Sequence, residues 1–252
     1  MLSTPAHKMN PLRAVIFDFF GTLVPNFTVS GHKDVLRGMA RALGAPTEGF
    51  LEHWLASFEQ RATGVFPDVR SNIEAVCRIV GVLAADSQYE TARRLRFDFE
   101  KQHTVPRPTA IQTLKSLRAS GIKTGLISDC STELPAIWPS TAFAALFDTA
   151  VFSCQVKMRK PNPEIYLHTC RLLEVEPTQC LYVGDGGSRE LSGARAVGMM
   201  AVLLAAAEEQ NNANTHRVDG EEWTGPRIYE LQELLGMLKN NTGMSSLAQP
   251  PD

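Results

Sequence analysis

The sequence has no cysteines at metal-binding spacing and no apolar run long enough to cross a bilayer. Its five cysteines, Cys77, Cys130, Cys154, Cys170 and Cys180, are scattered without CxxC or Cys/His patterns. That argues against a zinc site and against a disulfide framework. Reduced thiols in a cytoplasmic protein are the simpler expectation. The best apolar run, residues 197–207, falls well short of the roughly 20 residues a spanning helix needs. The opening MLSTPAHKMNPLR lacks the apolar core of a secretory signal. Charge of one sign is also scarce. A formal net charge of −2 gives no general electrostatic reason to expect nucleic acid or an anionic membrane as partner. No internal repeat is visible, and nothing in the chain sets an oligomeric state.

What is present is an ordinary globular composition: 252 residues, 44% hydrophobic and 21% charged, enough for a substantial core. Short apolar runs without alternation predict buried parallel strands at 14–19, 123–128, 150–153, 180–184 and 199–204. Helical patterns follow at 109–120, 163–173, 188–197 and 226–238. Strands alternating with helices predict an α/β chain built on a doubly wound parallel sheet. Catalytic groups in such sheets gather at the carboxyl ends of the strands.

The alternation is interrupted between Val24 and Pro106, where only apolar stripes at helical spacing occur, such as Val35/Leu36/Met39/Leu43. The chain is therefore expected to divide into a Rossmann-like core (1–24 and 106–240), a helical domain (25–105) and a flexible tail (241–252). Pro25, Pro106 and Pro108 stiffen the two linkers.

Four strand ends carry the chemistry. In Phe17-Asp18-Phe19-Phe20-Gly21-Thr22 an aspartate sits at the tip of a hydrophobic strand, a costly place for a charge. It is either a working group or the cap of a turn. Ile127-Ser128-Asp129 offers a hydroxyl, and the loop after it offers backbone N–H groups, both suited to an anion's oxygens. In Lys160-Pro161-Asn162-Pro163 the second proline suits a helix start. The lysine just before can balance an aspartate and a phosphoryl group, or simply belong to a solvated basic loop. Gly184-Asp185-Gly186-Gly187-Ser188-Arg189-Glu190 sets two acids around a glycine-rich turn. Such oxygen ligands suit Mg²⁺, although Glu190 also fits the first turn of a helix.

The order of these segments and their placement on strand ends resemble the four motifs of the haloacid-dehalogenase superfamily. The resemblance runs from about Arg13 to Leu238, and the helical insert is similar to that superfamily's small type-1 cap. It implies a magnesium-dependent hydrolase acting on a small phosphorylated metabolite through an aspartyl-phosphate intermediate. By the same resemblance Asp18 is the nucleophile, and Ser128 and Asp129 meet the substrate anion. Lys160 serves both catalysis and substrate binding. Asp18, the Phe20 carbonyl, Asp185 and Glu190 (through water) hold the magnesium.

One departure stands out. Phosphatases of this superfamily carry a second aspartate two residues after the nucleophile, where this chain has Phe20. Acid–base help of that kind contributes roughly 10²–10⁴ in rate. Asp129, Arg61, Arg70 and His53 are the candidates to replace it, and the two arginines are also candidates to meet a second anionic group of the substrate. Haloacid dehalogenases offer an alternative reading, because they too lack that aspartate and a halide leaves without a proton. Against this, Asp185 gives the fourth motif its metal-binding form. A catalytically impaired binding protein is the third reading.

Overall fold

The computed structural model describes residues 11–209 and 212–239; the tail expected at 241–252 lies outside them. The chain opens on β1 (Ala14–Phe17) and passes through five helices, α1 (Val29–Leu43), α2 (Thr47–Ala56), α3 (Phe58–Ala62), α4 (Val69–Ile79) and α5 (Asp86–Gln102). It returns through α6 (Ala110–Ala119), β2 (Lys123–Ser128), α7 (Glu133–Ile137), β3 (Thr149–Phe152), α8 (Ser153–Val156) and α9 (Pro163–Leu173). It closes with β4 (Cys180–Gly184), α10 (Glu190–Ala196), β5 (Met200–Leu204), β6 (Arg227–Ile228) and α11 (Glu233–Lys239).

The six strands form one parallel sheet in the order β3-β2-β1-β4-β5-β6, the doubly wound architecture expected. β1 takes the middle because all four of its residues are apolar and buried, as a strand covered by helices on both faces requires. The pleat sends Val15 and Phe17 into one apolar layer with Leu114 and Leu234, and Ile16 into another with Ile165 and Tyr182. Phe17 pairs with Leu126 on one side and Val183 on the other. The tips of β2, β1 and β4 thus lie side by side, where the strand order reverses and a crevice opens.

Two expected helices begin later than the sequence suggests. The one expected from 188 starts at Glu190, because Ser188 and Arg189 take φ of 54° and 50°. An α-helix of L-residues cannot include that left-handed conformation. The one expected over 226–238 is preceded by the unforeseen β6. Leu203 and Ala205 donate to the carbonyls of Pro226 and Ile228, so the open edge of β5 captures a segment whose local pattern reads as helical. Pairing buried backbone groups outweighs that local preference.

The five helices between β1 and β2 bury their stripes against one another, with Leu36, Met39, Phe50, Trp54, Ile73 and Ala92 at the centre. The Thr28 hydroxyl caps the start of α1 by accepting from Gly31 N, and Gly44 ends it at φ 68°. Where the insert joins the sheet, Arg107 N donates to Leu23 O. Its guanidinium donates to the Gly21 carbonyl at 3.0 Å and to Glu208 and Glu209. Asn26 N also donates to Glu209 Oε1 at 2.8 Å. One glutamate on the loop after β5 therefore ties both linkers. No described helix is long and apolar enough to cross a membrane.

His32 on α1 is buried against Phe27 (5.1 Å), the stacked Phe99 (5.8 Å) and His216 (5.2 Å), and its Nε2 has no hydrogen-bond partner among the described residues. Burial, then the charge of Arg96, pushes its pKa down to about 2 from an ordinary 6.5. Between those values the unfolded chain takes up a proton that the folded chain refuses. Stability from this group is complete above 6.5 and falls with decreasing pH by up to about 1.4 kcal/mol per unit. Asp18 and Glu100, raised mainly by burial to about 6 and about 7, slope the other way. Comparing wild type with His32→Phe isolates the histidine. The variant is expected to resist urea at pH 5 better relative to pH 8 than wild type does; parallel pH profiles would contradict a neutral buried His32.

Candidate active site

Asp18 follows β1 directly, and its backbone N–H still donates to Val183 O at 2.9 Å. The chain then turns through Gly21 at φ 85°, where a Cβ would stand 2.3 Å from Asp185 Oδ2. Only glycine permits both that conformation and that approach. The turn returns Thr22 onto Asp18, its hydroxyl 3.2 Å from Asp18 Oδ2.

Lys160 reaches the same aspartate from a loop far along the chain, with Nζ 2.5 Å from Asp18 Oδ1 and 2.6 Å from Glu190 Oε2. Asn162 caps the helix after it by accepting from Glu164 N, and Pro163 occupies its first turn. Glu190 is fully buried rather than an exposed acid on a helix start. Tyr182 OH donates to its Oε2 at 2.9 Å and Gly186 N to its Oε1 at 3.1 Å. A Cβ on Gly184 would lie 2.0 Å from that carboxylate, so β4 ends in glycine to leave room for it. Asp185 takes Gly187 N on Oδ1 at 2.8 Å, and on Oδ2 both Asn26 Nδ2 at 2.8 Å and Arg217 Nε at 2.9 Å.

Burial pushes Asp18 up to about 6; Lys160 opposes that shift and Asp185 adds to it. A carboxyl at about 6 is mostly ionised at neutral pH, the form a nucleophile requires. Burial also works against the Lys160 ammonium, yet Asp18, Glu190 and Asp129 outweigh it and hold the lysine well above its ordinary range.

Ser128 closes β2 almost fully buried, with Oγ bonded to nothing among the described residues. A buried hydroxyl without a protein partner is free to bond an ordered water or a ligand oxygen. Asp129 accepts Lys160 N on Oδ1 at 3.1 Å and lies 3.5 Å from Arg159 Nε, so the structure ties it to the loop bearing the lysine. Phe20 rests edge-on against Phe19 (5.0 Å) and Phe27 (5.9 Å).

A cavity of about 340 Å³ opens over Asp18, Lys160 and Asp185 and is roofed by the helical insert. Of the insert residues singled out from sequence, Arg61 borders it. Arg70 instead pairs on the surface with Glu74 and Asp86 at 2.6 Å each, and neither it nor His53 reaches the cavity.

Asp18, Asp185 and Glu190 each present a carboxylate oxygen, all within 4.8 Å of one another. Such a cluster can hold a hard divalent cation, which prefers oxygen ligands and needs few of them from protein. The Glu190 oxygens already accept bonds from Lys160, Tyr182 and Gly186.

A family model of haloacid dehalogenase-like hydrolases matches residues 12–198. The chain belongs to that family. Its relatives span two chemistries. It is 25% identical to glyceraldehyde 3-phosphate phosphatase of Methanopyrus kandleri over 89% of this chain and 97% of the relative. It is 26% identical to (S)-2-haloacid dehalogenase 1 of a Pseudomonas strain, covering 78% and 86%. The 2-haloacid dehalogenase structure from Pseudomonas syringae superposes with a TM-score of 0.65 at 22% identity, covering 91% and 99%; at that identity the likeness speaks for the fold alone. The protein is thus a hydrolase of this family with the family's parallel-sheet core.

Several groups at the site escape a reading by sequence. Thr22 stands four residues after Asp18, a spacing that a tight turn brings back, so its signal was present. Asn26 reads as linker. Arg217 lies in a stretch without periodicity, and Tyr182 reads as one more apolar strand residue. Arg96 falls on a charged helix face with nothing to mark it as buried.

Proposed function

We propose that this protein is a cytoplasmic, magnesium-dependent phosphatase of small phosphate monoesters, working through an aspartyl-phosphate on Asp18. The observation that carries this reading is Asp185 beside Asp18 and Glu190: three buried carboxylates face two cationic side chains, Lys160 on Asp18 and Glu190 and Arg217 on Asp185, and a further cation balances the third negative charge. The phosphatase relative of Methanopyrus kandleri supports the same reading. Five free cysteines suit a reducing compartment.

In this scheme the helical insert acts as a cap over the core and excludes water from the cavity. Ser128 Oγ donates to a phosphoryl oxygen, and Lys160 holds Asp18 Oδ1 so that Oδ2 faces phosphorus. That oxygen attacks, the ester oxygen leaves with the bonding pair, and water then cleaves the acyl phosphate to restore Asp18 and release inorganic phosphate. Magnesium would be held by Asp18, the Phe20 carbonyl, Asp185 and, through water, Glu190, and would offset repulsion between the nucleophile and a phosphate dianion. With Phe20 in place of the usual acid, the scheme favours esters whose alkoxide leaves readily.

A panel of phosphate esters and 2-haloacids, assayed with magnesium and with EDTA, tests the reading. Phosphate release dependent on magnesium is expected. Halide release in EDTA would replace it with a dehalogenase, a reading that Phe20 and the dehalogenase relative favour. Neither product, together with thermal stabilisation by phosphate esters, would make the protein a binding module. Phe20→Asp is expected to raise turnover of simple alkyl phosphates by about 10²; a flat or lower rate would show that this position does not limit proton transfer.

A further inference from the structure

The helical insert contributes two buried guanidinium groups to the cavity that holds Asp18: Arg61 in α3, 6% exposed, and Arg96 in α5, 7% exposed. Their surroundings differ. Arg96 is ion-paired, with Nε 2.6 Å from Glu133 Oε1 and Nη2 3.0 Å from Glu100 Oε2, but its Nη1 is buried without a partner among the described residues. Arg61 has no carboxylate within ion-pair distance among those residues. Its Nε donates to Ser131 Oγ at 3.3 Å and its Nη1 to Ser57 Oγ at 2.7 Å and to the Trp54 carbonyl. Its guanidinium also stands 4.8 Å from the Trp54 ring centroid.

A buried cation bonded only to neutral oxygens is costly. Burial, and then the charge of Arg96, pushes Arg61 down to about 9. The buried Arg107 shows the usual arrangement, with Glu208 and Glu209 on its guanidinium. What Arg61 lacks is an anion, and the space beside it is the substrate cavity.

We propose that Arg61, together with the free Nη1 of Arg96, binds a carboxylate at the non-reacting end of the substrate, so that the protein acts on phosphate esters of small hydroxy acids. This rests on the phosphatase reading of Asp18. Two donors from two guanidinium groups match the two oxygens of one carboxylate. A second phosphate dianion is disfavoured because Glu100, itself on the cavity wall, and Glu133 are both paired to Arg96. Glu100 itself is pushed up to about 7 by burial, which lightens its opposition to a single negative charge. A volume near 340 Å³ lies at the small end for ligand pockets, with room for a phosphoryl group and a short acid. Binding energy gathered there orients the ester over Asp18.

Binding and turnover test the two layers separately. In Asp18→Asn protein with magnesium, calorimetry compares phospholactate with isopropyl phosphate, which has a methyl group where the other has its carboxylate. The carboxylated ester is expected to bind at least about tenfold tighter. Arg61→Gln in the same background is expected to bring the two affinities together, and Arg61→Lys to keep part of the gap. Equal affinities before Arg61 is touched, a gap that survives Arg61→Gln, or no binding of either ester would overturn the proposal. The first comparison leaves the insert intact, so a misfolded Arg61 variant cannot decide the outcome. A clear gap in binding with no phosphate release by wild type would sink the phosphatase reading and leave the carboxylate subsite standing.

Discussion

Asp18→Asn is expected to lower kcat for any phosphate ester by at least about 10⁴, the scale on which removal of a covalent nucleophile acts. The amide keeps the shape of the side chain and can still accept from Lys160 through its oxygen, so the geometry survives while the nucleophile is lost. The fold should survive as well. Asp18 is buried and its acid strength is already weakened by that burial, so replacing its charge by a neutral amide removes a desolvation cost. Lys160 retains Glu190 at 2.6 Å as a counterion. The melting temperature should therefore stay within a few degrees of wild type or rise, which separates lost chemistry from lost structure. Trapping with borohydride should reduce an acyl phosphate at residue 18 in wild type and at no residue in the variant. Turnover retained within about tenfold would remove Asp18 as the nucleophile.

Lys160→Met should damage both stability and activity. The ammonium is the shared partner of Asp18 and Glu190, and all three side chains are less than a tenth exposed. Methionine fills the channel but supplies no charge, leaving two buried carboxylates facing each other. Breaking a buried pair in this way costs roughly 3–5 kcal/mol, read as a lower midpoint in urea at unchanged slope. Adding Glu190→Gln to Lys160→Met should restore part of the loss, because one stranded charge is removed and the amide oxygen can still accept from one of Tyr182 and Gly186. Such recovery is the coupling a double-mutant cycle measures. Activity should remain absent in both variants, since Asp18, the proposed nucleophile, has lost the donor that orients it. A stability loss under about 1 kcal/mol would mean that solvent already screens the cluster.

The first five strands were legible because each is built on a short run of buried apolar residues, and a parallel sheet between two helical layers demands that pattern. Asp18, Ser128 and Asp185 were legible for the converse reason. A polar group at the tip of a buried strand is expensive unless it is used, and three such tips in one chain mark one mouth of one sheet, while Lys160 was marked by the Pro-x-Pro that follows it on a loop. The helical insert showed itself by a change of period from buried runs to stripes at three and four.

What lay beyond the sequence depends on contacts between distant segments. Lys160 and Asp18 meet across 142 residues, and Arg217 reaches Asp185 from a loop whose path no periodicity encodes. Arg61 and Arg70 look alike in sequence, yet α3 turns one into the cavity while α4 leaves the other paired at the surface. β6 forms against its local preference because β5 has an open edge to fill. Asp18 as the charged tip of a central strand is written in local composition. Whether its neighbours neutralise it, hold a cation beside it or reserve a guanidinium for substrate was decided only by tertiary packing, because the worth of a charge is set by what lies within a few ångströms of it.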